Sequence, residues 1–120
     1  MRTFGLMKKL IKGFGYAFKG VSYAALTQLN FRIHLLAMLV AVGLGFYLHI
    51  STAEWCWIAV CIASVLTTEL LNTAIEILVD LVSPGYNEKA GHIKDVSAAA
   101  VLITAIFAAT VGAIIFIPKF

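Results

Sequence analysis

Three long apolar runs alternate with short polar connections along this chain and predict three membrane-spanning helices. The runs cover residues 33–53, 55–82 and 96–117. Each is about as long as the roughly 20 residues that a helix needs to cross a bilayer. Because Pro84 and Gly85 together break a helix, residues 83–95 are expected to form a polar loop. The pattern therefore predicts an all-α integral membrane protein with a single domain over residues 1–120.

Residues 4–30 show a different pattern, with apolar side chains along one side of a helix and lysines on another. The apolar arc consists of Met7, Leu10, Ile11, Phe14, Phe18, Val21 and Ala25. The cluster on the other face is Lys8, Lys12 and Lys19. This spacing is typical of an amphipathic helix that lies in the membrane interface. Such a helix serves either as a simple anchor or as the floor of a site that offers basic groups to phosphate.

The composition agrees with a membrane protein, because 62% of the 120 residues are hydrophobic, 12% are charged and the mean hydropathy is +0.97. A soluble domain is closer to half apolar and a quarter charged. Three helices enclose little interior by themselves. We therefore expect a homo-oligomer with sites built between subunits.

The distribution of basic residues predicts the orientation in the membrane. Of the nine Lys and Arg residues, all except Lys119 lie before residue 33 or in the 83–95 loop. The positive-inside rule then places the N-terminus and this loop in the cytoplasm. The net charge of +3 is a consequence of this topology and does not indicate nucleic-acid binding.

Four polar side chains interrupt the second apolar run at helical spacing. Glu69, Asn72, Glu76 and Asp80 fall on one stripe of a helix at about 100° per residue. A charged side chain in the hydrocarbon costs about 2.5–3.5 kcal/mol on insertion scales, so such residues are seldom without a function. This polar stripe is the candidate site of the chain.

Carboxylates at this spacing fit a divalent metal ion that holds phosphate oxygens, since Mg²⁺ prefers oxygen ligands. Glu69 lies about 10 Å along the helix from Glu76, so the deeper carboxylate would meet a lipid hydroxyl and the shallower one a metal. Two alternatives remain open from the residues alone: a proton or cation pathway, and hydrogen bonding between subunits. The sequence contains neither a Walker motif nor a protein-kinase signature.

The segment from Glu69 to Asp80, Glu-Leu-Leu-Asn-Thr-Ala-Ile-Glu-Ile-Leu-Val-Asp, resembles the signature of the prokaryotic diacylglycerol kinases, which include undecaprenol kinases. The likeness extends over nearly the whole chain. It includes Gly15-Tyr16, Lys19-Gly20, Asn30-Phe31-Arg32-Ile33-His34, Lys94-Asp95 and residues 98–103.

The resemblance implies a homotrimer in the bacterial cytoplasmic membrane that uses MgATP to phosphorylate a lipid alcohol, either diacylglycerol or undecaprenol. Glu69 would be the general base on the lipid hydroxyl, Asn72 would position the reacting groups, and Glu76 would bind Mg²⁺. The nucleotide contacts that the resemblance implies are Lys9, Tyr16, Tyr86, Lys94 and Asp95.

Three positions depart from the pattern of the family. Gln28 stands where the family has a second metal-binding acid, so a carboxamide without negative charge would ligate Mg²⁺ there. Lys9 replaces an arginine of some members, which weakens a bidentate grip on phosphate. Gly85 replaces an acidic residue that contacts nucleotide in some members. The segment from Asn30 to His34 is more similar to members that act on undecaprenol.

Overall fold

The computed structural model describes residues 2–120, which form four α-helices and a short 3₁₀ turn. The elements are α1 (Arg2–Thr27), α2 (Leu29–Tyr47), α3 (Thr52–Val82), α4 (Glu88–Phe116) and the 3₁₀ turn (Ile117–Lys119). By length and composition α2, α3 and α4 can each cross a membrane. The predicted all-α class with three apolar helices is therefore confirmed.

The polar loop is much shorter than the predicted residues 83–95, because α4 begins at Glu88. The Asn87 side chain accepts hydrogen bonds from the backbone N–H groups of Lys89 and Ala90, at 2.9 and 3.2 Å. This N-cap satisfies backbone donors that would otherwise lack partners. The polar residues 88–95 therefore form the first two turns of α4 and leave only Ser83–Asn87 outside a helix.

The connection between α2 and α3 lies earlier in the chain than the end of the predicted run 33–53. Helix α2 ends at Tyr47, and His49 adopts a left-handed backbone conformation with φ of 51°. Helix α3 then begins with a capping box, in which Ser51 and Glu54 exchange side-chain and backbone hydrogen bonds of 2.9 and 3.1 Å. Such a box satisfies two free N–H groups at once. Helix α3 therefore begins at Thr52, inside the predicted run 33–53.

Helix α1 ends at Thr27, three residues before the end of the predicted 4–30 segment. Gln28 interrupts the helical path with φ of −112° and ψ of 111°, and α2 follows directly. Ala24 is the only buried residue among those described in α1. The packing of α1 against the rest of the chain is therefore confined to its C-terminal part.

A small apolar core lies at the end of the bundle that carries the α2–α3 connection. Its buried members are Ile50, Ile58, Ile115 and Phe116. Lys119 closes the same end by donating to a Glu54 carboxylate oxygen at 2.7 Å and to the Ile115 carbonyl at 3.0 Å. These contacts join the C-terminal end of the described chain to the start of α3, on the side of the membrane opposite the Ser83–Asn87 turn.

A single chain leaves most of its apolar surface uncovered. In the most apolar 18-residue windows, 11% of α2, 28% of α3 and 17% of α4 are buried. Only contact with lipid tails or with other copies of the chain can cover surface of this kind.

Gly45 permits a close contact between α2 and α3 and provides a test of this packing. A Cβ atom at residue 45 would lie 2.6 Å from Cη2 of Trp55, whereas a Cβ at Gly43 would meet nothing within 4 Å. The indole is rigid and its ring centroid is 4.9 Å from that of Phe46. We expect Gly45→Ala to destabilise the protein by about 1–3 kcal/mol, as overpacking does.

Gly43→Ala is the matched control, because both substitutions gain the same helix propensity of about 0.5–1 kcal/mol. Thermal unfolding in detergent should show a lower melting temperature for Gly45→Ala than for Gly43→Ala. Equal melting temperatures would contradict the close contact with Trp55.

Candidate functional site

The polar stripe lies on one continuous helix, and its side chains become more exposed along α3. Glu69 is 2% exposed and Asn72 is 8% exposed, whereas Glu76 is half-buried. Asp80 is exposed near the helix end. Two carboxylates therefore occupy different environments on one helix, one enclosed by protein and one accessible from outside. The different depths in the membrane predicted from their spacing stay a prediction.

Glu69 is enclosed where α3 packs against α2. Its Oε1 lies 3.4 Å from Nε2 of His34, and the His34 side chain is itself 20% exposed. Among residues 2–120 no donor satisfies the geometry of a hydrogen bond to this buried oxygen. The Thr73 hydroxyl donates to the backbone carbonyl of Glu69 at 2.9 Å and not to its carboxylate.

Asn72 and Glu76 lie one helical turn apart and contact each other. Nδ2 of Asn72 donates to Oε1 of Glu76 at 3.2 Å. The other end of the carboxamide, Oδ1, is buried and has no hydrogen-bond partner within the described chain. A buried oxygen without a partner is costly, and here it lies on a side chain that is fixed beside a carboxylate. Hard oxygen donors suit Mg²⁺, so the half-buried Glu76 carboxylate fits the metal ligand that the sequence predicts there.

A cleft between α3 and α4 opens beside Asn72. Its volume is about 510 Å³. Its polar lining side chains are Thr68, Asn72, His92 and Ser97, and its other lining residues are Leu71, Ile75, Ile93, Val96 and Ala100. A mostly apolar cleft with a few polar groups is a usual form of a small-molecule site. The stripe is thus reachable from the α4 side.

Lys94 joins the start of α4 to the end of α3. Its Nζ lies 2.5 Å from Oδ1 of Asp80, across the turn that connects the two helices. An ammonium group has three donors, so this ion pair leaves two N–H groups of Lys94 for another acceptor. The neighbouring Asp95 is exposed, and Tyr86 in the turn is 98% exposed. These three residues share one end of the bundle with Glu76.

Within residues 2–120, no hydrogen bond or ion pair connects the predicted residues Lys9, Tyr16 and Gln28 with the stripe. Lys9 and Tyr16 are exposed, and the ring of Tyr16 has Lys19 Nζ above it at 5.8 Å from the centroid. The Gln28 amide donates to the Thr27 hydroxyl at 3.4 Å. Over residues 2–120, no three His, Cys, Asp or Glu side chains come together as a metal site. Any ion held at Glu76 would therefore need further ligands from carboxamides, a substrate or water.

The family profile described as prokaryotic diacylglycerol kinase matches residues 15–116 of the chain. The chain belongs to this family. The matched range contains the whole polar stripe, the Lys94–Asp80 pair and the C-terminal half of α1.

Curated relatives agree with the family assignment. The undecaprenol kinase of Bacillus subtilis (strain 168) is 35% identical over 113 residues, which cover 94% of the chain and 92% of the relative. The diacylglycerol kinase of Synechocystis is 42% identical over 110 residues, covering 91% of the chain but 63% of that relative. The diacylglycerol kinase of Escherichia coli (strain K12) is 35% identical over 100 residues, which cover 83% of the chain and 82% of the relative.

This member of the diacylglycerol kinase family is therefore an integral membrane protein and a lipid kinase. The resemblance and the enzyme class predicted from the sequence are confirmed. The proton or cation pathway, which the residues alone left open, has no support from these relatives.

His34 is the site residue to which the sequence assigned no role. The sequence places it in the Asn30–His34 segment, and only the packing of α2 on α3 shows that it lies beside Glu69. An ionisable side chain in an apolar run is a signal of function in a membrane protein. That signal was available in the sequence, because His34 lies at the start of the first apolar run.

Proposed function

We propose that this lipid kinase transfers the γ-phosphoryl group of ATP to the hydroxyl of a membrane lipid alcohol, diacylglycerol or undecaprenol. The reaction takes place at the cytoplasmic surface of the bacterial inner membrane. The single observation that carries this proposal is the pair of unlike carboxylates on α3, a buried Glu69 and a half-buried Glu76.

In this proposal Glu69 accepts the proton of the lipid hydroxyl. The lipid oxygen forms a bond to the γ-phosphorus, and the bond from that phosphorus to the β,γ-bridging oxygen breaks, so that ADP leaves. Phosphoryl transfer depends mainly on positioning and charge stabilisation, with one base near the accepting hydroxyl. A carboxylate enclosed by protein on a membrane-spanning helix is suited to that role.

Glu76 and Gln28 would hold Mg²⁺, which when bound neutralises charge on the phosphates of ATP. Asn72 positions the reacting groups, because its carboxamide is held by Glu76 at 3.2 Å and its Oδ1 is left without a protein partner within residues 2–120. The proposed nucleotide contacts are Lys9, Tyr16, Tyr86, Lys94 and Asp95. The two free donors of Lys94 support a contact with a phosphate oxygen.

A homotrimer of the chain would complete this site. The exposed apolar faces of α2, α3 and α4 support self-association. The exposure of Lys9 and Tyr16 supports it as well, because α1 of one subunit is free to offer these groups to the stripe of a neighbour. Helix α1 would lie in the membrane interface, with the N-terminus and the Ser83–Asn87 turn in the cytoplasm.

The test of the proposed function is transfer of labelled γ-phosphate from MgATP to diacylglycerol and to undecaprenol, measured side by side in mixed micelles. Wild-type protein and Glu76→Ala are compared. Label in either lipid that is lost in the variant supports the proposal, and the ratio of the two rates identifies the substrate. Absence of label in both lipids with wild-type protein would refute it.

Gln28 leads to a separate prediction about the metal. A carboxamide brings no negative charge to Mg²⁺, so Gln28→Glu should lower the Mg²⁺ concentration for half-maximal rate by roughly threefold to tenfold, as one added charge interaction near a protein surface allows. Asn30→Asp adds the same charge two residues away, at an exposed position on α2. If both variants shift the Mg²⁺ dependence equally, or neither does, Gln28 does not belong to the metal site.

A further inference from the structure

His34 is the one basic side chain within 4 Å of the Glu69 carboxylate in residues 2–120. The two residues lie on different helices, α2 and α3, and both are shielded from solvent, with 20% and 2% of their side chains exposed. The contact therefore depends on the packing of the two helices and is not a local feature of either one.

The chemistry of the pair determines which atom carries a proton. An ionised carboxylate can only accept hydrogen bonds, whereas each imidazole nitrogen donates when it is protonated. Nε2 faces Oε1 at 3.4 Å, so the contact is favourable when Nε2 carries hydrogen, in neutral or charged imidazole alike. A small rotation of either side chain that shortens the Nε2–Oε1 distance by a few tenths of an ångström brings the pair into the usual N–H···O range of about 2.7–3.2 Å.

The surroundings of the imidazole offer Nε2–H little else to bind. His34 lines a cleft of about 250 Å³ between α2, α3 and α4, whose other lining residues are apolar apart from the Cys61 thiol. Oε1 of Glu69 is a buried acceptor that no hydrogen bond satisfies within the described chain. When Nε2 carries hydrogen, a donor therefore faces a buried acceptor that lacks a partner within residues 2–120, in an apolar environment where a hydrogen bond is strong.

We propose that His34 is a positioning residue for Glu69, and that its Nε2–H holds Oε1 so that the second carboxylate oxygen faces the lipid hydroxyl. This inference rests on the proposed role of Glu69 as the general base. A base must lie within hydrogen-bond reach of the proton that it abstracts. By fixing the carboxylate rotamer, His34 raises the fraction of enzyme–substrate complexes that are ready to react.

Three substitutions at residue 34 separate hydrogen bonding from packing. The amide nitrogen of glutamine reaches the position of Nε2, that of asparagine is one methylene shorter, and phenylalanine fills the space without a donor. We expect His34→Phe and His34→Asn to lower kcat tenfold to a hundredfold with KM for the lipid changed less than twofold. We expect His34→Gln to restore kcat to within threefold of wild type.

Met38→Leu is the packing control, because Met38 lies one turn further along α2 and lines the same cleft. It should leave kcat unchanged. Size-exclusion elution and melting temperature in detergent show that each variant keeps the wild-type assembly. The inference is overturned if His34→Phe keeps the wild-type kcat, if His34→Gln is as slow as His34→Phe, or if KM changes in place of kcat.

A double variant separates failure of this inference from failure of the proposed base. In the Glu69→Ala background, His34→Phe should cause no further loss of the residual rate, since His34 acts through Glu69. A further tenfold loss there would overturn the positioning role while leaving Glu69 as the base. Full activity of Glu69→Ala would overturn the base and the positioning role together.

Discussion

Glu69→Gln is expected to reduce phosphoryl transfer to lipid by about 10²–10⁴-fold, which is the usual contribution of a general base. The carboxamide has nearly the shape of the carboxylate, so α2 and α3 should pack as before. It cannot take up a proton at neutral pH, and the lipid hydroxyl would have to react without a base. The rate of γ-phosphate transfer in micelles at saturating MgATP and lipid measures this effect.

Two further variants make this result interpretable. Glu69→Ala removes the same base but leaves a small cavity in a buried position, so a similar rate in both variants assigns the loss to chemistry and not to packing. Glu88→Ala removes an exposed acid at the start of α4 and should keep the wild-type rate. Activity of Glu69→Gln within a few-fold of wild type would exclude Glu69 as the base.

Glu76→Ala is expected to have the second large effect, a loss of about 10³-fold at ordinary Mg²⁺ concentrations. Metal stabilisation of the transition state contributes several kcal/mol, and about 1.4 kcal/mol corresponds to a factor of ten in rate. The substitution also removes the acceptor for Nδ2 of Asn72, so the neighbouring carboxamide loses its anchor. Initial rates over a range of Mg²⁺ at fixed ATP measure this effect.

Glu76→Asp provides the graded comparison, because it keeps the charge but shortens the side chain by one methylene. Its Mg²⁺ concentration for half-maximal rate should rise. The same concentration should stay unchanged in Glu69→Gln, since the two carboxylates lie about 10 Å apart along α3. A shift in Glu69→Gln with none in Glu76→Asp would mean that the two roles are exchanged.

The polar stripe was predictable from sequence because its signal is local. Ionisable side chains are rare in an apolar run, and helical spacing alone places Glu69, Asn72 and Glu76 on one side of α3. The burial of Glu69 was not predictable from this spacing, because it depends on the packing of α2 against α3.

The ends of the helices were less predictable. Hydropathy detects only apolar residues, and it therefore misses the polar turns with which a helix can begin or end. Asn87 caps α4 and brings residues 88–95 into the helix, although these residues are polar. The capping box of Ser51 and Glu54 starts α3 inside an apolar stretch. In both places side-chain hydrogen bonds to the backbone determine the boundary, and they leave no trace in a hydropathy profile.

Contacts between helices were beyond the reach of sequence patterns. The approach of His34 to Glu69 and of Lys94 to Asp80 depends on which faces of α2, α3 and α4 meet. Helical periodicity fixes the relative angles of residues within one helix but not the rotation of one helix against another. The positions of Lys9 and Tyr16 relative to the stripe depend on the angle between α1 and α2, which the single extended residue Gln28 determines.

The unequal lengths of α2 and α3 connect this enzyme to the thickness of its membrane. With 19 and 31 residues, the two helices are about 28 Å and about 46 Å long. Helix α2 ends and α3 begins at the Leu48–Ser51 connection, and Glu69 lies about 26 Å along α3 from that end. The depth of the lipid hydroxyl, in contrast, follows the bilayer, whose hydrocarbon layer is about 30 Å thick and differs by a few Å among membranes. If Glu69 is the base, as proposed, the chain length of the surrounding lipids tunes how well the hydroxyl and the carboxylate meet, and hydrophobic mismatch then controls turnover.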